Sequence, residues 1–354
     1  MQTIALLIAR ATALASLTTL IWPVIQLNAQ DNTASLRLVA RMSIPDVAGD
    51  FDHFDVDLKG QRLFLTGEDQ GTIEVFDLRT GKRTQSIPGF KKPHSILFIP
   101  ESKKLFVTDG GDGTPQGSLK TLDADTFKIL ESVDLLLDAD SAGFDPENHR
   151  YYVDNGGKDP TQHYELISVF DTGTGKHLSD IQLPDISLEA VIPDNLHHRL
   201  FVNMKEHSQV GIVDPEKRSL LSTWALTAEQ PSPMAFDEAN HRLFVGCRKP
   251  PTFLVLNTDS GKVISSLPTV GRADDAFYDV AHKRIYISGG PKGQEGFISI
   301  YDQIDPDHYK ARSKVVTGES AKTALFVPDL NRLYVAVPRH GTNSAEVQVY
   351  EPMP

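Results

Sequence analysis

The stretch "NHRLFVGCRK", residues 240–249, places an Asn-His turn before a short apolar run that ends at a glycine. Such a run has the length and composition of a buried β-strand. Six close copies occur elsewhere in the chain: GQRLFLTGED (60–69), SKKLFVTDGG (102–111), NHRYYVDNGG (148–157), HHRLFVNMKE (197–206), HKRIYISGGP (282–291) and LNRLYVAVPR (330–339). One strand repeated seven times indicates seven copies of a single structural unit.

The spacing of the copies identifies that unit. Each copy contains one basic residue at its anchor position, and successive anchors are separated by 42 to 49 residues. The anchors are Arg62, Lys104, Arg150, Arg199, Arg242, Arg284 and Arg332. A period of roughly 40–50 residues with several strands per period is typical of a propeller blade.

A second pattern follows each anchor strand. It is an apolar strand that ends in Asp and a Gly-Lys turn, as in IEVFDLRTGK (73–82) and ISVFDTGTGK (167–176). The Asp side chain caps the turn, and the Gly supplies a positive φ. A further strand follows the turn and another precedes the anchor strand. The sequence therefore predicts an all-β fold, a seven-bladed β-propeller of four-stranded antiparallel blades.

The two ends of the chain predict how the ring closes. The last repeat stops at VQVYEPMP (347–354) without a fourth strand, and the repeats occupy about 50–354. The segment LRLVARMSIPDV (36–47) is similar to KRTQSIPGF (82–90), the fourth strand of the first repeat. We therefore expect residues 36–46 to complete the last blade, which removes an open sheet edge.

Residues 1–29 have the pattern of a signal peptide. Arg10 precedes a long apolar run, and Ala29 stands before the polar segment QDNTAS. This pattern predicts cleavage after Ala29, and the alternative is an uncleaved membrane anchor. The expected mature chain is a single domain, 30–354, without a membrane span, exported to a bacterial periplasm or secreted, and monomeric.

Composition excludes several classes of function. The 354-residue chain is 40% hydrophobic and has a formal net charge of −12. It shows no basic stripe, so nucleic acid is not an expected partner. Cys247 is the only cysteine and cannot form an internal disulfide, and no C-x-x-C-H motif is present to attach a haem.

The repeats resemble the YVTN β-propeller family, the exported bacterial proteins similar to YncE. The likeness is carried by RLYVAV (332–337) and RLFVNM (199–204), and by the turn strands of the type seen at 75–82. It covers residues 36–354. The resemblance implies the propeller fold and export, but it says little about activity because this fold hosts many functions.

Candidate functional residues cluster at the predicted starts of the innermost strands, which converge on the propeller axis. Clustered histidines and carboxylates suit a divalent metal or an acid–base pair, whereas the alternative is a channel mouth that binds only water. The candidate ligand-binding residues are His53, His94, Asp140, Glu189, Asp275 and Lys322, with Arg248 and Arg339 from neighbouring loops. The candidate metal ligands are His53, His94, Glu189 and Asp275. Further loop cations predicted at this rim are Lys205, Lys249 and Lys292.

Two classes of function remain open. The first is a module that binds a small molecule, a protein or a cell-envelope component through its top face and central channel. The second is an enzyme, because KKPHSILFIPESKKLFV (91–107) resembles the Pro-His opening of repeats in lactonase-type propellers. That resemblance implies a role for His94, with Glu189 as a second catalytic candidate in a lactone hydrolase or a metal-dependent lyase. No cofactor follows from any motif other than the divalent metal.

The repeated turns DPENH (145–149), PDNLHH (193–198) and DEANH (237–241) place further histidines on the opposite face. They are His149, His197, His198 and His241. Because they recur at one position of the repeat, we interpret them as turn formers that do not cluster.

Overall fold

The structure of the protein is a computed structural model that describes residues 35–112, 116–157 and 159–354. The predicted signal peptide, residues 1–29, lies outside these residues. Among the described residues, the helical segments are three 3-10 turns of three residues each: Asn195–His197, Glu238–Asn240 and Pro328–Leu330. In this part of the chain no helix has the length and hydrophobicity required to cross a membrane.

The described chain forms seven antiparallel sheets, numbered here as blades 1 to 7 in chain order. Blade 1 contains β2 Phe54–Asp57, β3 Arg62–Gly67, β4 Thr72–Asp77 and β5 Lys82–Pro88. Blade 2 contains β6 Pro93–Ile99, β7 Lys104–Asp109, β8 Ser118–Asp123 and β9 Ile129–Asp134. Blade 3 contains β10 Ala142–Asp145, β11 Arg150–Asn155, β12 Glu165–Asp171 and β13 His177–Leu183. Blade 4 contains β14 Leu188–Asp194, β15 Arg199–Met204, β16 Gln209–Asp214 and β17 Ser219–Ala225.

The remaining blades complete the ring. Blade 5 contains β18 Glu229–Asp237, β19 Arg242–Lys249, β20 Pro251–Asn257 and β21 Val263–Pro268. Blade 6 contains β22 Ala273–Asp279, β23 Arg284–Gly289, β24 Glu295–Asp305, β25 His308–Ala311 and β26 Val315–Glu319. Blade 7 contains β27 Ala324–Val327, β28 Arg332–Val337, β29 Ala345–Pro352 and, from the other end of the chain, β1 Leu36–Ile44. The predicted all-β, seven-bladed propeller is confirmed.

The N-terminal strand closes the ring as predicted. β1 pairs antiparallel with β29, from Leu36 opposite Pro352 to Ile44 opposite Ala345. The strand order in blade 7 is β1-β29-β28-β27, so its outermost strand comes from the opposite end of the described chain. Closure of this kind covers a backbone edge that would otherwise be open.

The turn after the third strand of a blade has the predicted chemistry. In blade 1, the Oδ1 atom of Asp77 accepts the N–H of Thr80 at 2.9 Å, and the backbone N–H of Gly81 donates to the carbonyl of Asp77. Gly81 has a φ of +64°, a value that L side chains rarely adopt. This is why the repeat places Asp and Gly at these two positions.

Blade 6 departs from the simple pattern because its outer strand is divided. β24 pairs with β25 along one half, with Tyr301 opposite Ala311, and with β26 along the other, with Glu295 opposite Glu319. The blade therefore has three inner strands and a fourth strand in two parts.

The core lies between neighbouring blades. The residue two positions after each anchor is at most 4% exposed in all seven blades. These residues are Phe64, Phe106, Tyr152, Phe201, Phe244, Tyr286 and Tyr334. Second strands must be apolar on both sides because each sheet is covered by the blades that flank it. This packing fixes the inner strands and hence the walls of the channel.

Candidate functional site

One position of the repeat lines the centre of the propeller. It lies ten residues before the basic anchor of each blade, where the innermost strand begins. The seven residues, called here the ring residues, are Asp52, His94, Asp140, Glu189, Ser232, Asp274 and Lys322. All seven line a single cavity of about 560 Å³. Equivalent positions of a closed ring lie at equal radius, which explains how residues far apart in sequence come together.

Hydrogen bonds between blades hold the ring residues in place. The Oγ1 atom of Thr66 in β3 donates to the carbonyl of His94 in the next blade at 2.8 Å. In the same way, the Nδ2 atom of Asn203 in β15 donates to the carbonyl of Ser232 at 2.8 Å. The second strand of one blade thus anchors the start of the next inner strand.

Ion pairs link the ring residues from blade to blade. The Nζ atom of Lys322 lies 3.2 Å from Asp52 and 2.9 Å from Asp274. Arg248 then joins Asp274, at 2.8 Å, to Glu189, at 3.8 Å. Burial opposes the charge on Lys322, but Asp274 and Asp52 raise its pKa well above the usual value. Lys322 is therefore charged over the whole physiological range.

Arg248 enters this network from a different part of its blade. The ring residue of blade 5 is Ser232, which has no charge, and its hydroxyl donates to Glu189 at 3.0 Å. The cation of blade 5 is instead Arg248, near the end of β19 and six residues after the anchor. Lys205 occupies the corresponding position in blade 4 and contacts Glu189 at 2.5 Å. Glu189 is thus paired with two cations.

His94 is buried, with 3% of its side chain exposed. Its Nδ1 atom donates to Asp52 at 2.5 Å and lies 3.4 Å from Asp140. Burial alone would lower the pKa of His94, but Asp140 and Asp52 raise it to about 9, so the ring is protonated at neutral pH. Its Nε2 atom has no hydrogen-bond partner among the described residues. Gly110 must lack a side chain because a Cβ there would lie 2.8 Å from Nε2.

His53 forms a second histidine–carboxylate group beside the first. Its Nδ1 atom lies 3.5 Å from Asp275, and its Nε2 atom lies 3.8 Å from Asp52. Burial would lower the pKa of His53, yet Asp52 and Asp275 raise it to about 10. Both histidines of the cavity are therefore cations at neutral pH, and neither is a free base.

Asp140 is the least neutralised carboxylate of the ring. Its side chain is 34% exposed, and His94, already bonded to Asp52, is its one ion-pair partner among the residues that the structure describes. Burial raises the pKa of Asp140 to about 6, with further contributions from Asp52 and Glu189, while His94 acts in the opposite direction. Asp140 therefore titrates just below neutral pH.

The structure brings together seven of the eight residues that the sequence analysis selected for ligand binding. His53, His94, Asp140, Glu189, Asp275, Lys322 and Arg248 all line the cavity. Arg339 lies elsewhere, with its guanidinium donating to the carbonyl of Pro45. Of the other predicted rim cations, Lys205 lines the cavity, whereas Lys249 and Lys292 are exposed outside it.

Six charged cavity residues are not among the candidates selected from the sequence. They are Asp52, Asp55, Asp274, Glu68, Lys92 and Arg272. Asp52 and Asp274 occupy the ring position, and counting back from the anchors reaches them, but their neighbours His53 and Asp275 were selected instead. Glu68 stands six residues after its anchor, as Arg248 and Lys205 do.

Three groups of residues in or beside the cavity have ligating atoms within 4.8 Å of one another and could hold a metal ion. The groups are Asp52, His53 and Asp140; Asp52, Glu68 and His94; and His94, Asp138 and Asp140. His53 and His94 were proposed as metal ligands from the sequence. Glu189 and Asp275, the other two candidates, belong to none of these three groups.

No protein-family model matches the chain, and no curated protein matches it significantly. Among solved structures, a chain in the structure titled "Crystal Structure of Mitotic Checkpoint Complex" is similar to this protein, with a TM-score of 0.72 and 11% sequence identity. The match covers 91% of this chain and 97% of that chain. At this identity the likeness concerns the fold alone. The comparison shows that this chain has a β-propeller fold.

Proposed function

We propose that the protein is an exported, YncE-like binding module that holds a small molecule with a cationic group in its central cavity. The repeat copies support the family, and the predicted signal peptide supports export. The observation that carries the ligand class is the position of Asp140 beside Glu189 in the charged ring.

The ring alternates in charge except at one place. From blade 5 to blade 3 the order is Arg248, Asp274, Lys322, Asp52, His94 and Asp140, with successive members within ion-pair distance. The next ring residue is Glu189, again a carboxylate. An odd number of blades cannot alternate two signs around a closed ring, so two like charges must be neighbours somewhere.

Asp140 has the weakest compensation among the carboxylates of the ring. Glu189 is compensated by Lys205 and Arg248, whereas Asp140 shares the charge of His94 with Asp52. A ligand cation placed beside Asp140 would give this carboxylate an opposite charge that it does not share with Asp52. An opposite charge within about 4–6 Å favours the ionised form of a carboxylate. Binding of the ligand and ionisation of Asp140 should therefore support each other.

The cavity walls suit the rest of such a ligand. Apolar side chains that follow the ring residues along the inner strands also line the cavity, among them Ile96, Val191, Met234 and Phe277. Ligand pockets combine apolar walls with a few placed polar groups that fix orientation. A compact ammonium compound with a short apolar body therefore fits this cavity best.

The test is binding of small ammonium probes, with choline, putrescine and succinate titrated calorimetrically into the full-length protein. We expect the two ammonium compounds to bind and succinate not to bind. Because the pKa of Asp140 is about 6, affinity should rise about tenfold between pH 5 and pH 7. Asp140→Asn should abolish this rise, whereas Glu101→Gln, which removes an exposed carboxylate at another site, should bind like the parent protein.

Binding of succinate in preference to both ammonium probes would contradict the ligand class. Equal affinity of the parent and Asp140→Asn at pH 7 would contradict the assigned position of the cation. The two results therefore separate an error in the charge of the ligand from an error in its location.

The second candidate function is a lactone hydrolase, and the pKa of Asp140 is the observation that favours it. A general base works best when its pKa lies near the working pH, and Asp140, at about 6, meets this requirement. His94, with a pKa of about 9, would instead stabilise negative charge or donate a proton. Hydrolysis of δ-gluconolactone above the spontaneous rate, lost in Asp140→Asn and retained in Glu101→Gln, would support this candidate over simple binding.

A further inference from the structure

A second cluster of histidine and carboxylate side chains lies away from the cavity. It consists of His197 in blade 4 with His241 and Asp259 in blade 5. The two imidazole rings have centroids 5.8 Å apart, and the Nδ1 atom of His241 lies 3.4 Å from Asp259. One ligating atom from each of the three residues lies within 4.8 Å of the others. The expectation that these histidines do not cluster is therefore wrong for His197 and His241, although both stand in the turns as predicted.

This cluster is separated from the charged ring by the length of an inner strand. Glu189 stands near the start of β14, and His197 belongs to the 3-10 turn that follows the end of that strand. None of the three residues lines the central cavity. A ligand at this cluster would thus be independent of the ligand proposed for the cavity.

The backbone holds the three residues in position. The N–H of His197 donates to Asp194, and the carbonyl of His241 accepts the N–H of Thr258, the residue next to Asp259. His241 has a φ of +55° and closes its own 3-10 turn through a hydrogen bond to Glu238. The turns of adjacent blades therefore present these side chains at fixed places, and only side-chain rotation is needed to bring them closer.

The hydrogen bonds of His197 resemble those of a metal ligand. Its Nδ1 atom lies 3.0 Å from the carboxylate of Asp194, which is fully buried. A carboxylate that accepts from one ring nitrogen orients the imidazole and leaves the other nitrogen to bind a metal. Nε2 is then the ligand atom of His197.

The geometry suits a tetrahedral ion of the zinc type. With bonds of about 2.0–2.1 Å, two ligands of such an ion lie about 3.4 Å apart, which is the observed separation of His241 and Asp259. Two imidazoles and a carboxylate are the donors that zinc and its neighbours in the first transition series accept. Two cations lie nearby, and both are paired: Arg199 with Asp194 at 2.7 Å, and Arg242, which donates to the carbonyl of His241, with Asp307 at 2.6 Å.

We infer that His197, His241 and Asp259 form a binding site for a divalent transition-metal ion, with zinc as the best match, that joins blades 4 and 5. Three protein ligands leave one coordination position for water or for a group of another molecule. The ion would add a second link to the hydrogen bond by which Arg199 of blade 4 donates to the carbonyl of Thr258 of blade 5 at this end of the ring.

The test is a calorimetric titration of zinc into the full-length protein, expressed without a polyhistidine tag. We expect one site that His197→Gln, His241→Gln and Asp259→Asn each weaken at least tenfold. The matched control is His149→Gln, which changes an exposed histidine with a similar positive φ in blade 3, outside the metal-binding groups of the described residues. The parent should also melt at a higher temperature with zinc, and His241→Gln should not.

Absence of zinc binding in the parent would overturn the inference, as would equal affinity in the parent and all three site variants. Because groups of carboxylates and histidines at the central cavity could also hold zinc, Asp140→Asn is titrated in parallel. It should leave the site of His241 intact. If Asp140→Asn removes the zinc site and His241→Gln does not, the metal belongs to the cavity and the inference is wrong.

Discussion

Asp154 lies four residues after the anchor, in the second strand of blade 3. At this position four other blades have a side chain that donates a hydrogen bond to the next blade. Those donors are Thr66 to the carbonyl of His94, Thr108 to that of Asp140, Asn203 to that of Ser232 and Ser288 to that of Lys322. By the same register, we expect Asp154 to face the carbonyl of Glu189. Its Oδ1 atom accepts the N–H of Ser141 at 3.0 Å, and its Oδ2 atom is buried with no partner among the described residues.

A carboxylate cannot donate a hydrogen bond, but a carboxylic acid can. Burial raises the pKa of Asp154 well above the ordinary value, and Glu165 and Asp140 raise it further. We therefore expect Asp154 to be protonated in the folded protein and to donate to the Glu189 carbonyl. An acid with a raised pKa binds a proton in the folded state that the unfolded chain releases, so stability falls as pH rises above about 4.

Asp154→Asn should remove this pH dependence, because an amide of the same shape donates at every pH. At pH 4 the free energies of unfolding of the two proteins should differ by no more than about 1 kcal/mol, the net contribution of one hydrogen bond. Above pH 5 the free energy of unfolding of the variant should rise relative to that of the parent by about 1.4 kcal/mol per pH unit, until the pH reaches the raised pKa of Asp154. Burial also raises the pKa of Glu165, to about 8. Because Glu165 is present in both proteins, it makes the free energy of unfolding of each fall with pH in the same way.

The assay is urea unfolding of both proteins at pH 4, 5, 6 and 7, with Asn203→Asp as the mirror-image variant. Asn203 is fully buried and makes the equivalent bond in blade 4, so an acid there should lose stability as pH rises. A constant difference between the parent and Asp154→Asn from pH 5 to pH 7 would refute the reasoning. So would a destabilisation of Asp154→Asn at pH 7.

Three further predictions concern the fold and the ring. Phe201→Ala should cost about 3–5 kcal/mol in urea unfolding because the ring is fully buried, whereas Leu221→Ala, 53% exposed, should cost under about 0.5 kcal/mol. Lys322→Met should cost about 1–3 kcal/mol, since Asp52 and Asp274 each lose one cation but keep His94 and Arg248, respectively, and Arg339→Met should leave stability nearly unchanged. Deletion through residue 44 should lower the melting temperature of the whole ring by removing β1; a truncated protein that melts with the parent would contradict closure by that strand.

The fold could be predicted from the sequence because its determinants are local and repeated. The apolar run after each anchor and the Asp-Gly turn each specify one strand or one reversal within about ten residues, and seven copies specify the number of blades. The missing fourth strand at residue 352 and the spare strand at residue 36 are likewise visible in the chain. No long-range contact has to be known for any of these conclusions.

Part of the charged cavity could be predicted for the same reason. The position of His94, Asp140 or Lys322 in the repeat places each of them near the axis, since symmetry converts equal positions in sequence into equal radii. Arg339 was misplaced because it lies on a loop, where the register of the repeat no longer determines direction. Its guanidinium turns towards Pro45.

The order of charges around the ring was decided by the tertiary structure. Arg248 reaches past the uncharged Ser232 to join Asp274 and Glu189, and only the length and direction of its side chain make this possible. His197 and His241 meet although they belong to different blades, because the packing of neighbouring sheets brings their turns together. The sequence by itself thus determined strands, blades and closure, which depend on local periodicity. The pairing of charged side chains depends on distances between blades, and those distances exist only once the ring has formed.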